Sequence, residues 1–223
     1  MENRYLRNLG AITEADCRLL RQKKVLVVGC GGLGGYLMEY LARIGIGSIR
    51  CVDGDVFDET NLNRQILATT ETLGKPKAQV AAQRLGSINP DVTVEPVHAF
   101  LDDSNAAQWI AGCDVVLDAL DNISSRKILA EACAEAGVPY VFGAISGWVA
   151  QAGISMPGDR MIQKLYPEGI TVKDKSVLSF TPAMCAAMQV SLCVSLLLGH
   201  PVETGTLHYF DLFCTEYEKI PLR

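Results

Sequence analysis

The chain has 223 residues, which at about 150 residues per domain leaves room for one large domain or one domain with a small appendage. Apolar residues make up 49% and charged residues 20%, a composition that fills a sizeable core and excludes a disordered chain. The net charge of −5, from 20 Lys and Arg against 25 Asp and Glu, argues against a protein that coats nucleic acid and leaves room only for a local basic patch.

The opening Met1-Glu2-Asn3-Arg4-Tyr5-Leu6-Arg7 is polar and lacks the apolar run of an export signal. A β-branched strand over 25–28 meets a glycine cluster, and a helix over 36–44 ends at Gly45 and Gly47. A second strand, 49–52, stops at Asp53-Gly54-Asp55. Pro76 suits the first turn of a helix running to Ile88, where a missing N–H costs little, and Asn89-Pro90 stops it. Strand 93–97, helix 104–110, strand 115–119, helix 124–136 and strand 140–142 follow. This alternation predicts an α/β fold, a doubly wound, Rossmann-like and mostly parallel sheet covered by helices on both faces.

After Gly143 the pattern changes. Residues 148–155 and 207–219 read as extended strands, separated by an irregular stretch over 156–176 and an apolar helix that starts near Thr181-Pro182. The most apolar run, 183–198, is too short for a bilayer and carries Gln189, Ser191 and Ser195, so it reads as a buried helix. The expectation is one domain over 1–223. Residues 1–143 form a nucleotide-binding half and 144–223 an antiparallel half, with 156–176 as a mobile crossover whose Gly158, Pro167 and Gly169 suit a loop. Eight cysteines without a C-x-x-C pair fit a reducing cytoplasm better than a disulfide framework or a zinc cage.

Gly29-Cys30-Gly31-Gly32-Leu33-Gly34 matches G-x-G-x-x-G between a strand and a helix. Without Cβ atoms the backbone turns tightly and presents N–H groups to a phosphate at a positive helix end. Asp53, ending the next strand, stands where a ribose hydroxyl would lie. A dinucleotide oxidoreductase using NAD is the default reading of such a loop. Three features count against it. Asn61-Leu62-Asn63-Arg64-Gln65 brings amides and a guanidinium fork that suits phosphate oxygens. Lys75-Pro76-Lys77 puts two ammonium groups at a helix start, where the dipole disfavours them unless a polyphosphate is near. Asp118-Ala119-Leu120-Asp121-Asn122 ends a strand at the carboxyl edge of the sheet, where a carboxylate can hold Mg²⁺ beside phosphate oxygens. Asp121 or Asn122 can equally cap the helix that follows. The P-loop pattern G-x-x-x-x-G-K-[ST] is absent.

Taken in order, Gly29–Gly34, Asp53-Gly54-Asp55, Asn61–Gln65, Lys75-Pro76-Lys77 and Asp121-Asn122 resemble the ThiF/MoeB/HesA family, bacterial relatives of the ubiquitin-activating enzymes. Arg4-Tyr5-Leu6-Arg7 resembles that family's opening R-Y-x-R, and the similarity runs from Arg4 to about Ile220. The resemblance implies adenylation, with ATP, of the carboxyl-terminal glycine of a small ubiquitin-like protein ending in Gly-Gly. Such partners are sulfur carriers for thiazole (thiamine) or molybdopterin synthesis. It further implies that Gly32 lies against the phosphates, that Asp53 holds the ribose, and that Asn61, Arg64 and Lys77 contact the phosphates. Asp121 then coordinates Mg²⁺, and Arg7 reaches into the other subunit of a homodimer. Gly29, Gly31, Gly34, Asp55, Gln65 and Asn122 complete the expected nucleotide contacts, and Arg7, Arg64, Lys77 and Asp121 are the expected catalytic groups.

Elementary chemistry agrees. A carboxylate attacking an anionic phosphate needs cations, not a general base, because it is already ionised at neutral pH. His98, His200 and His208 are therefore read as surface or loop residues. The chain departs from the family in lacking the two C-x-x-C pairs that hold zinc, so no zinc is expected. No cysteine lies within 156–180, and Cys185 falls in the apolar run, where a thiol is unreactive. This departure counts against the family's thiol-transfer step and leaves the adenylation step untouched. A nucleotide-binding module without turnover stands as an alternative.

Overall fold

The computed structural model describes residues 2–171 and 176–222. The helices are α1 (Glu14–Leu20), α2 (Gly32–Ile44), α3 (Lys77–Ile88), α4 (Ala106–Ile110), α5 (Ile123–Ala136), α6 (Met161–Leu165) and α7 (Thr181–Leu197). The strands are β1 (Lys24–Val28), β2 (Ser48–Val52), β3 (Thr93–Val97), β4 (Val115–Asp118), β5 (Tyr140–Ser146), β6 (Val149–Ser155), β7 (Thr206–Asp211) and β8 (Glu216–Pro221). They form one sheet in the order β3-β2-β1-β4-β5-β6-β7-β8. The first five strands are parallel and the last three extend the sheet antiparallel. This is the predicted mixed α/β architecture.

The pleat explains the apolar runs. Val25 and Val27 enter one core with α2, α3 and α7, while Leu26 and Val28 enter the other with α4, α5 and α6. A strand buried on both faces must be apolar throughout, and β1 and β4 are. The chain leaves β1 for β2 on one side, and β4 lies on the other, so β1 and β4 frame the crevice at which the strand order reverses. Among the described residues no helix is long and apolar enough to cross a membrane.

Several expectations change in detail. The helix placed at 36–44 starts four residues earlier, at Gly32, inside the glycine loop. Residues 207–219 are a hairpin rather than one strand. The Asp211 carboxylate accepts the N–H groups of Phe213 and Cys214, and Thr215 turns at φ 60°. The stretch over 156–176 is not irregular throughout. A Cβ on Gly153 would fall 2.2 Å from Met161 Cε, so that glycine opens the sheet face that receives α6, and Met161 and Ile162 are buried there. Residues 172–175 of the crossover lie outside the described residues. His98 and His200 are exposed, but His208 belongs to β7, half-buried, with its ring nitrogen 2.8 Å from the Tyr217 hydroxyl.

The amino terminus adds a short 3₁₀ turn (Asn3–Asn8) and α1, whose Thr13 and Asp16 cap each other reciprocally. Tyr5 is buried against Gly45, and its hydroxyl accepts the Asn89 amide at 2.7 Å. Both partners stand where helices turn into β2 and β3, at the amino edge of the sheet.

Candidate active site

A cavity of about 520 Å³ opens at the carboxyl edge of β1, β2, β4 and β5, within the range usual for small-molecule sites. Its floor is the glycine loop, and the glycines there have separate tasks. Gly29 has φ +99°, and a Cβ on it would lie 2.5 Å from the Ala119 carbonyl oxygen. A Cβ on Gly34 would lie 1.8 Å from the Gly29 carbonyl oxygen. These two let the β1–α2 turn close against β4. Gly31 and Gly32 line the cavity, and a Cβ on either would meet nothing closer than 3.5 Å. Their missing side chains leave open space above the first turn of α2, whose N-cap, Gly31, supplies no side-chain acceptor.

Asp53 borders that space. Its carboxylate accepts the Cys30 N–H at 2.7 Å and the Asp55 N–H at 2.8 Å. Burial pushes its carboxyl above the usual range, opposed by those two donors. Lys77 crosses the wall at the start of α3. Its ammonium is 3.2 Å from Asp55 and 6.0 Å from the Phe57 ring centroid, and only 8% of the side chain is exposed. Asp55 thus offsets a cation at the wrong end of a helix dipole. Lys75 is exposed and lies outside the lining. Arg64 lines the cavity, with Nη1 donating to Thr60 O at 2.9 Å and Asn63 Oδ1 at 2.8 Å. Gln65 beside it is buried, and its Oε1 has no hydrogen-bond partner among the described residues.

Asp121 and Asn122 divide the two roles open to them. Asn122 caps α5, its Oδ1 accepting the Ser125 N–H at 2.8 Å. Asp121 lines the cavity and, among the described residues, receives only the neighbouring Asn122 amide, at 3.4 Å. Asp118 is spent internally, fully buried against Arg126 and the Tyr140 hydroxyl. Burial pushes its carboxyl up, and Arg126 opposes that.

Three expected contacts lie outside the cavity lining of this chain, and Gly34, packed beneath the turn against the Gly29 carbonyl, is the first. Asn61 is buried outside the cavity lining, exchanging hydrogen bonds with Asp58 in a reciprocal cap of a 3₁₀ turn. Arg7 is exposed in the amino-terminal turn. That turn is anchored at the opposite edge of the sheet, about 17 Å of strand away from the cavity at ~3.3 Å per residue. The sequence reading missed Arg126, Phe100 and Tyr166, which also line the cavity. Arg126 carried a signal, since with Leu129 and Cys133 it falls on the buried stripe of α5.

Cys185 is fully buried, its thiol pushed up to about 12 by burial, with Sγ 3.2 Å from Gln151 O. Seven of the eight cysteines are buried and Cys214 is exposed. Native alkylation with iodoacetamide at pH 7.5, read by intact mass, is expected to add one group, at Cys214, before any other. Early labelling of Cys185 would contradict its reading as an inert core thiol.

The profile of the ThiF family matches residues 4–223. The chain belongs to that family. It is 38% identical over 218 residues to the SAMP-activating enzyme E1 of Haloferax volcanii, covering 94% of this chain and 80% of the relative. It is 33% identical to the sulfur carrier protein adenylyltransferase of Thermus thermophilus, covering 92% of this chain and 80% of the relative. In fold, this ThiF-family chain superposes on Escherichia coli MccB solved with ATP, at a TM-score of 0.86 and 22% identity, covering all of this chain and 72% of that one.

Proposed function

We propose that the cavity binds ATP and that the chain adenylates the carboxyl-terminal glycine of a small ubiquitin-like sulfur carrier, releasing pyrophosphate. The observation that carries this reading is the convergence, around one glycine-floored cavity, of two cations and a carboxylate from three separate segments of the chain: Arg64, Lys77 at the start of α3, and Asp121. Membership of the ThiF family and the names of the two relatives support it.

Each residue has a physical task. Gly31 and Gly32 leave room for phosphate oxygens to approach the backbone. Asp53 has lone pairs left to accept ribose hydroxyls. Arg64 and Lys77 neutralise the triphosphate, so that the carrier's carboxylate can approach the α-phosphorus and negative charge can leave on pyrophosphate. The partner's tail needs no deprotonation, being ionised already. The residues also fit a magnesium ion. Asp121 is a carboxylate that lines the cavity and, among the described residues, has no cation within ion-pair distance, and Mg²⁺ favours one or two carboxylates together with phosphate oxygens. Bound there, Mg²⁺ would supply charge neutralisation on the triphosphate. The distance of Arg7 from its own cavity is consistent with service in the cavity of a second copy, as a homodimer would allow.

The test is carrier-dependent exchange of labelled pyrophosphate into ATP with Mg²⁺. Asp121→Ala is expected to lower the exchange rate on the order of 10²-fold, with the fold intact by circular dichroism. Wild-type protein that shows no exchange with a cognate Gly-Gly carrier overturns the reading.

A further inference from the structure

The link from β4 to α5 is short and its tip is exposed, yet it must hold one carboxylate in place over a ligand. Leu120, the residue before Asp121, is fixed on both sides of its backbone. Its N–H donates to Asp118 Oδ1 at 2.8 Å, and its carbonyl accepts from Arg126 Nη2. Arg126 Nη1 donates to Asp118 Oδ2 at 2.5 Å and to Gly143 O at 2.7 Å, which ties the link to β5 on the opposite wall. Tyr140 and Gln189 complete the arrangement from behind, donating to the Asp118 carboxylate and to its carbonyl.

Stability alone does not account for these charges. A buried ion pair gains little over apolar side chains of similar volume, because desolvation offsets the attraction. Here both charged groups also form hydrogen bonds with the backbone of Leu120, the one residue that precedes Asp121, on its N–H and on its carbonyl.

We propose that Arg126 is a positioning residue for Asp121: with Asp118 it clamps the β4–α5 link so that the Asp121 carboxylate stays on the cavity wall. This rests on the reading of the cavity as an ATP and Mg²⁺ site, and the experiment separates the two. Arg126→Lys keeps a cation opposite Asp118 but cannot fork to Leu120 O and Gly143 O. Dissociation constants for ATP are measured by calorimetry, with Mg²⁺ and with EDTA, for wild type, Arg126→Lys, Asp121→Ala and the double variant.

Arg126→Lys is expected to weaken binding of Mg²⁺·ATP by about 10-fold or more, as loss of supporting groups around a metal does, and to weaken binding in EDTA by clearly less. In the Asp121→Ala background it is expected to add nothing, because the two act as one unit. Equal losses with and without Mg²⁺, or full additivity with Asp121→Ala, overturn the role of Arg126. Should Arg126→Lys fail to fold, Tyr140→Phe, which removes only the hydroxyl that supports Asp118, is expected to give the same pattern at smaller size, and its absence overturns the role as well. Wild type that binds no ATP in either condition overturns the reading of the cavity itself.

Discussion

Lys77→Met is expected to lower carrier-dependent pyrophosphate exchange by about 10²–10³-fold, the usual cost of removing one preorganised group that stabilises developing charge. The size follows from how the ammonium is held. It is 3.2 Å from Asp55 and 6.0 Å from the Phe57 ring centroid, and the side chain is almost wholly withdrawn from water. A cation already fixed in a dry wall needs no reorganisation when phosphate charge shifts. Methionine keeps the packing and removes the charge, so the change reports electrostatics. The fold should lose little. Asp55 is more than half exposed, so its carboxylate is rehydrated rather than stranded. The melting temperature is expected to move by no more than about 2–4 °C, the equivalent of ~1 kcal/mol in a chain of this size. Lys75→Met, at an exposed neighbour outside the cavity, is the matched control and should leave both quantities at wild-type values. Equal losses in the two variants would mean that the pair acts through general charge rather than through one held ammonium.

What could be read beforehand divides along physical lines. The β1–α2 turn was legible because only glycine tolerates φ +99° against a neighbouring carbonyl, so the geometry is written in the residue type. The parallel strands were legible because double burial demands uninterrupted apolar runs. Side-chain pairing left no such trace. Asn61 reads as a free amide in a polar loop, and only the 3₁₀ turn that brings Asp58 alongside shows that its hydrogen bonds are spent. The run over 207–219 holds no Gly or Pro, so the strongest turn residues were not there to mark the hairpin. Arg126 stood on the apolar stripe of α5, but a charge at such a position looks like a solvated flank until its buried partner, eight residues back on a strand, is known. Tyr5 and Asn89 meet only because the amino-terminal turn folds onto the edge where α3 gives way to β3. Arg7 is the limiting case, since a role in another copy has no expression in the contacts of one chain.

Gly34→Ala is expected to do more damage than any other single methyl in the loop. The added carbon would stand 1.8 Å from the Gly29 carbonyl oxygen and 3.3 Å from Ala119 Cβ, against backbone on one side and a packed strand end on the other. Gly34 does not have a positive φ, so alanine's own backbone preferences are not the cause, and contact carries the whole effect. Relief requires the β1–α2 turn to lift away from β4. Overpacking of this kind costs about 1–3 kcal/mol at sites that can relax, and a clash with backbone puts this one at or above the upper end. The variant should melt at least 6 °C or so lower, using about 2–4 °C per kcal/mol, and should show no rise in melting temperature with Mg²⁺·ATP. Two comparisons separate the causes. Gly86→Ala, in α3 with open space around it, should stabilise by up to about 1 kcal/mol through helix propensity alone. Gly32→Ala meets Arg64 Cγ at 3.5 Å and Pro182 Cγ at 3.6 Å, ordinary contacts, so it should melt like wild type and yet lose the ATP-dependent rise, because its methyl enters the cavity. A Gly32→Ala protein stabilised by ATP as fully as wild type would mean that the phosphates do not lie against this turn, and the placement of the triphosphate over α2 would fall with it.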